Sequence, residues 1–352
     1  MASRSERMPA TRITRAQIGT ALRRAWFPVA HAGRLDKPQR TTLLGEDLVV
    51  FRGTGGGIGV LSNRCPHRGA GLDLGWVAGD SIACPYHGWE WRGGDGRCTR
   101  IPSQPPEDRI PPAFVTRTYP AKVKWDLVWT CLDEPAVPLH DPPELHGFEW
   151  EAFAGEPYTA NTGIVAMTEN YRDVAHFPFV HLGTLGKTPE VVQPLHPRRD
   201  GTEVWLDWVF VAEEGPMGSI WDSSGDVVNR YHVMAPAFIC LLMDYGPRGK
   251  RFGLNIPAPV SLEECKIWWV EGIEKGFPGT TLDATVKSAA AIYDEDIPVL
   301  NSLTPREVPF DREAPEFSVP SDRYTLAYRQ AFIEFVRRAN GPGSTHGERS
   351  AG

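Results

Sequence analysis

The sequence predicts an α+β chain of two domains, a small all-β one followed by a larger one of longer strands with helices. Three observations predict it. The chain has 352 residues, which at roughly 150 per domain suggests about two. It carries 35 Gly and 32 Pro, which calls for many turns and short strands. Apolar segments up to residue 135 are short and lie between turns, whereas those beyond it are longer and alternate with stretches of helical period.

Composition narrows the class. Hydrophobic residues make up 41% and charged residues 23%, as in an ordinary globular chain and unlike a disordered one. The longest apolar run, Phe238 to Met243, falls far short of the roughly 20 residues of a membrane span. With 37 basic and 44 acidic side chains the net charge is −7, so a basic nucleic-acid footprint is not expected. Twelve Trp favour large apolar pockets or sheet faces.

Residues 1–24 read as an N-terminal arm. The stretch is Arg-rich and nearly acid-free, a composition that faintly resembles a transit peptide, but it lacks the apolar core of a secretory signal. A reducing, cytoplasmic setting is therefore expected. There the six cysteines, at 65, 84, 98, 131, 240 and 265, serve metals or are simply buried.

Residues 25–135 form the first domain. Thr41–Leu44, Asp47–Phe51 and Gly59–Ser62 are strand-like, with the glycine run 53–57 as a hairpin turn. That run lacks the third glycine of a dinucleotide fingerprint and opens no helix, so dinucleotide binding there is rejected. The stretch 136–152, with Pro138, Pro142 and Pro143, reads as an extended connector. The second domain, 153–340, has strand-like segments at 203–212, 228–243, 251–258 and 265–273, and helices at about 164–176, 281–303 and 324–338. The tail 341–352 is polar and loose.

The first domain carries Cys65-Pro66-His67 and, after sixteen intervening residues, Cys84-Pro85-Tyr86-His87. Two thiolates and two imidazoles suit a tetrahedral zinc ion. They equally suit a [2Fe–2S] cluster in which two His replace two Cys on one iron. The C-x-x-C knuckles usual in zinc ribbons are absent, and each loop offers one thiolate and one imidazole, which favours the cluster. Cys65-Pro-His-Arg-Gly and Cys84-Pro-Tyr-His-Gly-Trp resemble the signature of Rieske domains. The resemblance implies that Cys65 and Cys84 hold one iron and His67 and His87 the other.

The second domain carries Asn170-Tyr-Arg-Asp173-Val-Ala-His176-Phe-Pro-Phe-Val-His181. Asp173 and His176 share a face if the segment is helical. His176 and His181 would diverge on an undisturbed helix, but Pro178 breaks it, and the bend allows both imidazoles to meet one metal. A non-heme Fe(II) oxygenase needs two His and one carboxylate, with positions left open for O2. Asp296 is the acid in the apolar stripe Leu282, Val286, Ala289, Tyr293, Leu300 of the helix 281–303, and metal coordination relieves the cost of a buried carboxylate. Pro298 is expected to distort the next turn, and Asp294 and Glu295 fall off the stripe and read as solvated.

Asn170-x-x-Asp173-x-x-His176-x4-His181 resembles the iron motif of Rieske non-heme iron oxygenase α subunits, and Glu295-Asp296-Ile-Pro-Val-Leu is similar to the segment that carries their third ligand. Asn301 departs from the pattern, standing where many relatives carry Glu. With the closing segment 319–329, the resemblance extends in order over residues 24–332. It points to the short α-only branch of vanillate and dicamba O-demethylases and saxitoxin-pathway hydroxylases.

The resemblance implies a second domain of helix-grip (START-like) form, an antiparallel sheet with helices. It implies mononuclear iron on His176, His181 and Asp296, and O2 as co-substrate. Electrons would come from NAD(P)H through a separate reductase, directly or by way of a ferredoxin. They would cross between subunits of a homotrimer, with Asp173 bridging the Rieske His87 of one subunit and an iron-ligand His of the next. Asn170 lies near the iron or caps its helix. The expected activity is that of a monooxygenase component acting on a small organic substrate, by C–H hydroxylation or by oxidative N- or O-demethylation. Arene dihydroxylation, a Rieske electron carrier without oxygenase activity and a zinc-stapled binding module are the alternatives. Trp205, Trp208, Phe210, Trp221, Phe238 and Met243 are candidates for lining the substrate pocket, though each also fits a core.

Overall fold

The structure, a computed structural model, describes residues 12–210, 227–278, 280–310 and 316–341. The chain divides into two compact units, one of Trp26–Pro135 and one that joins Met1–Ala25 to Ala136–Gly352. Among the described residues no helix is long and apolar enough to cross a membrane.

The unit Trp26–Pro135 consists of short antiparallel strands. Gln39–Leu43, Glu46–Arg52 and Ile58–Ser62 form one sheet, and the glycine run between the last two closes through Gly53 N–H to the Gly57 carbonyl at 2.8 Å. Trp76–Ala78, Ser81–Ala83, Glu90–Arg92 and Cys98–Arg100 form a four-stranded sheet. Phe27–His31 pairs with Leu127–Thr130, which pairs with Ala121–Lys124. Phe51, Leu61, Leu72, Ile82 and Trp91 pack into a core that includes Cys65 and Cys84.

In the other unit, helix α1 (Arg15–Leu22) starts with a capping box between Thr14 and Gln17. The helix and the segment just after it are tied to the segment 339–340 by Arg24, which donates to the Ala339 carbonyl, and by Asn340, whose amide donates to the Gln17 carbonyl at 3.0 Å. Strands β1 (Trp150–Ala154), β2 (Tyr158–Ala160), β3 (Arg198–Asp200), β4 (Glu203–Phe210), β5 (Val227–Met234), β6 (Phe238–Asp244), β7 (Lys250–Pro259) and β8 (Cys265–Glu274) form an eight-stranded antiparallel sheet. Its order is β1-β8-β7-β6-β5-β4-β3, with β2 also on β8. Segment 228–243, read from sequence as one strand, is two. Pro236, in a cis bond after Ala235, has no N–H for a ladder and lies in the turn between β5 and β6.

Helices α2 (Ile164–Asn170), α3 (Phe177–Val180), α4 (Leu282–Asn301) and α5 (Arg323–Asn340) complete the unit. Helix α4 begins on Thr281, whose hydroxyl accepts from the Ala284 N–H, and α5 stops at Gly341 with φ 82°. Three ring contacts or bonds hold one sheet face to the helices: Tyr231 against Tyr324, Trp269 against Tyr293, and the Asn255 amide donating to the Tyr293 hydroxyl.

Candidate active site

The two Cys-x-His loops of the first unit close by the same pair of backbone bonds. In one, Gly69 N–H donates to the Cys65 carbonyl at 2.8 Å and Cys65 N–H to the Ala70 carbonyl at 2.8 Å. In the other, Gly88 N–H donates to the Cys84 carbonyl at 2.9 Å and Cys84 N–H to the Trp89 carbonyl at 2.8 Å. Both glycines have positive φ, 79° and 70°, a conformation open to Gly at little cost. Both thiols are buried, and burial pushes that of Cys65 above its usual value. The imidazoles stand outward, His67 half-buried and His87 exposed, with ring centroids 4.6 Å apart. Trp89 stacks on His67 at 4.3 Å, a packing role. Two inner sulfurs and two outer nitrogens make a donor set that would fit a two-iron cluster held by two thiolates and two imidazoles.

In the second unit the predicted helix 164–176 ends at Asn170, so Asp173 and His176 meet across a turn and not along a helix face. Nor does Pro178 break a helix. It sits in the first turn of α3, where its missing N–H costs nothing, and His176 and His181 flank that short helix as its caps. The two Nε2 atoms lie 3.0 Å apart. Asp296 Oδ1 is 3.5 Å from the His176 Nε2 and 3.3 Å from the His181 Nε2. Asp296 and His181 are buried, with 3% and 1% of their side chains exposed. Among the described residues this trio brings one ligand atom each to a common point. Helix α4 runs on through Pro298 to Asn301, so the distortion expected there does not end it.

The protons of the trio are fixed by neighbours. His176 Nδ1 donates to Asp173 Oδ2 at 3.3 Å, and His181 Nδ1 donates to Glu295 Oε2 at 2.8 Å. With each Nδ1 engaged by a carboxylate, the Nε2 atoms are left to face each other and a carboxylate oxygen. Such a set of donors fits a cation. Burial lowers the His181 pKa, but the carboxylates of Asp296 and Glu295 outweigh it and raise the group overall. Burial raises Asp173, yet bonds from His176 and the Ala175 N–H, with the charges of His176 and Arg172, hold it below the usual carboxylate range.

Glu295, read from sequence as solvated, is instead part of the site. It also accepts from the Thr184 hydroxyl at 2.6 Å. Asp294 is exposed. Asn170 caps nothing; its amide donates to Asp296 Oδ1 at 3.1 Å. Arg172 makes no bond to Asp173. It is buried, with its guanidinium 4.8 Å and 4.5 Å from the rings of Tyr324 and Tyr328. Of the pocket candidates, register puts Trp208 and Met243 on the sheet face nearer α3, where Phe177 touches Trp208, and Trp205 and Phe238 on the opposite face. Trp221 and the Phe210 side chain lie outside the described residues. His232 is buried and held by Glu203 and Glu144, and the half-buried His140 bonds to the Ala235 carbonyl.

Residues 25–120 match the family model of the Rieske [2Fe-2S] domain. Residues 160–338 match that of the vanillate O-demethylase oxygenase C-terminal domain, which spans half of the chain. The chain belongs to the Rieske oxygenases of the vanillate O-demethylase type. Methylxanthine N1-demethylase NdmA of Pseudomonas putida is 27% identical, over 92% of this chain and 91% of its own. Methylxanthine N3-demethylase NdmB of the same organism is 28% identical, over 88% of each. The structure of dicamba monooxygenase bound to dicamba superposes with a TM-score of 0.73 at 20% identity, covering 90% of this chain and 97% of that one, a likeness of fold.

As a Rieske oxygenase the protein is an O2-dependent monooxygenase component, which places one oxygen atom in a small organic substrate. Its cofactors are a Rieske [2Fe–2S] cluster and a mononuclear iron, with electrons from NAD(P)H through a separate reductase. Zinc in the first site and a bare electron carrier both give way to this assignment.

Proposed function

We propose that His176, His181 and Asp296 hold the mononuclear iron, that Cys65 and Cys84 hold one iron of the cluster and His67 and His87 the other, and that the reaction is an oxidative N- or O-demethylation. The convergence of two Nε2 atoms and one buried carboxylate oxygen within 3.5 Å of each other carries the reading. The two full-length demethylase relatives favour demethylation over plain hydroxylation or arene dihydroxylation. When bound, the iron supplies O2 binding and the cluster supplies electrons one at a time.

The chain's own residues hold that centre in register. Glu295 and Asp173 keep each imidazole in the tautomer that turns Nε2 inward. Asn170 restrains the Asp296 carboxylate. Phe177, against Trp208, lends the site an apolar wall that limits water. Overall, substrate, O2, two electrons and two protons give one water and a hydroxymethyl product, which releases formaldehyde as its C–N or C–O bond breaks.

The proposal extends to assembly. In a homotrimer, Asp173 of one subunit links its His176 to the exposed His87 of a neighbour, and a ferredoxin or the reductase itself loads the cluster. A cavity of about 350 Å³ beside His176, lined by Asn170, Asp173, Val180 and Val299, leaves Asp173 within reach of such a neighbour. The six cysteines, none of them in a disulfide, fit a reducing cytoplasm.

Two measurements test the reading. Iron-loaded protein should hold about three irons per chain and, with a surrogate reductase, yield products lighter by one CH2 group. Two irons in fully loaded protein, or products that only gain oxygen, would refute it. Asp173→Ala should keep both metal centres and lose turnover; normal product formation by that variant removes the bridging role.

A further inference from the structure

Asp173 is presented by a turn with little backbone support. Residues 171–176 belong to no helix or strand; the Asp173 N–H donates to the Asn170 carbonyl at 3.0 Å, and the Ala175 N–H donates to Asp173 Oδ1 at 2.9 Å. Arg172 immediately precedes Asp173. It is 1% exposed, and among the described residues no hydrogen-bond partner reaches its Nε or either terminal nitrogen. What it has instead is aromatic. Its guanidinium lies over the rings of Tyr324 and Tyr328, at 4.8 Å and 4.5 Å, and these stand four residues apart on one face of α5.

Helix α5 is itself fixed to the sheet. The Tyr328 hydroxyl donates to the Pro236 carbonyl at 2.7 Å, and Tyr324 meets Tyr231 of β5. One residue further on, Arg329 holds Glu169, in the last turn of α2, by two bonds at 2.6 Å and 2.9 Å. Helix α5 thus grips both the end of α2 and the turn that follows it. Taking a guanidinium out of water without hydrogen bonds is costly, and an apolar side chain of similar length would fill the space without that cost. Packing alone therefore does not account for Arg172. The faces of two aromatic rings attract a buried cation, and the attraction depends on where the cation sits. It favours one placement of the chain at 172, where an adaptable apolar side chain would accept several.

We propose that Arg172 is a positioning residue for electron transfer: held by Tyr324 and Tyr328, it sets the turn that presents Asp173 to His176 and to the neighbouring subunit. It acts through Asp173 and not on the iron or the substrate. The inference rests on the bridging role proposed above for Asp173, and names the group that holds the bridge in place. With the clamp closed, Asp173 Oδ2 stays 3.3 Å from His176 Nδ1. Without it the turn is held by its two backbone bonds alone, and the carboxylate leaves that position for part of the time. The step it serves moves one electron from the reduced cluster of one subunit to the ferric iron of the next, and no covalent bond changes.

The test uses iron-loaded protein, fully oxidised, without O2 or substrate. A light flash on a deazaflavin photoreductant with a sacrificial amine puts one electron on the cluster, and the return of the cluster's absorbance times its passage to ferric iron. Hydrogen–deuterium exchange of the Asp173 and Ala175 amides reads the turn itself. Arg172→Met removes the charge and keeps the length. It should keep both metal centres and the Rieske spectrum, slow the return by about tenfold or more, and speed exchange of the two amides as much. Arg172→Lys, which keeps a cation for the rings, should restore most of both. If the Met variant does not fold, Tyr324→Leu decides. It removes one ring and should move both readings the same way, whereas Tyr324→Phe, which loses only a hydroxyl without a partner, should move neither. Native exchange or native return in Arg172→Met or Tyr324→Leu, loss of the mononuclear iron in Arg172→Met, or a Lys variant no better than Met overturns the inference. No return in the native chain, or a native rate in Asp173→Ala, would remove the bridging role. A native rate in Arg172→Met beside a slow Asp173→Ala would remove this inference alone.

Discussion

The two metal-binding regions are built on different scales. In the Rieske unit each proposed ligand pair sits in one five-residue loop, Cys65–Gly69 or Cys84–Gly88, and each loop closes on itself through its own glycine. In the second unit the proposed ligands are His176 and His181, on either side of α3, and Asp296, which lies 115 residues beyond His181 on α4. The first site is a product of local turns. The second exists only once α4 has docked. A loop-built site therefore depends on its own backbone, and a packing-built site depends on neighbours that hold its ligands in place.

The largest effect should come from Asp296→Ala. If the two regions are independent, this change removes the mononuclear iron and abolishes turnover, while two irons and the visible spectrum of the Rieske cluster persist. Cys84→Ala should do the reverse, losing the cluster and keeping one iron. Iron content and absorbance of the two variants check both. Loss of both centres in either variant would break the comparison.

Glu295→Gln should act less strongly and sharpens it. Glu295 does not face the metal, but it takes the proton of His181 Nδ1. Loss of such an outer partner typically costs about 10–100-fold in metal affinity or activity. The variant should show that loss as a raised iron concentration for half-maximal turnover, with an unaltered Rieske spectrum. An iron requirement equal to that of the native chain would mean that the tautomer is set elsewhere.

What the sequence revealed follows the same division. The two Cys-x-His loops proposed to hold the cluster stand out in the sequence because loop, proline and Cys/His pair are contiguous, and the hairpin at 53–57 was legible for the same reason. The convergence of His176, His181 and Asp296 was legible through motif and stripe, although the backbone that presents the histidines differs from the helix expected there. Glu295 was missed because helical period puts it off the apolar face, and only the approach of the segment 181–184 gives it partners. Its position beside a buried acid was the one available signal.

The smallest effect separates the two units by pH. Glu271 has its carboxyl raised from 4.5 to about 8 by burial. A raised acid binds its proton more tightly in the folded chain than in the unfolded one, so the stability linked to it is fully present below about 4.5 and is lost as pH rises toward 8. At 1.36 kcal/mol per unit, the loss is on the order of a few kcal/mol. Glu271→Gln carries no such proton. Its melting temperature should therefore fall less than that of the native chain between pH 5 and 8, and the gap should stay constant above 8. The Rieske unit supplies the internal control, because Glu271 belongs to the other unit. The cluster's own circular dichroism, recorded across the same pH range below the melting transition, should coincide for the two proteins. Parallel melting curves at every pH would show that Glu271 is charged or solvated in the folded chain, and that its burial does not hold the proton.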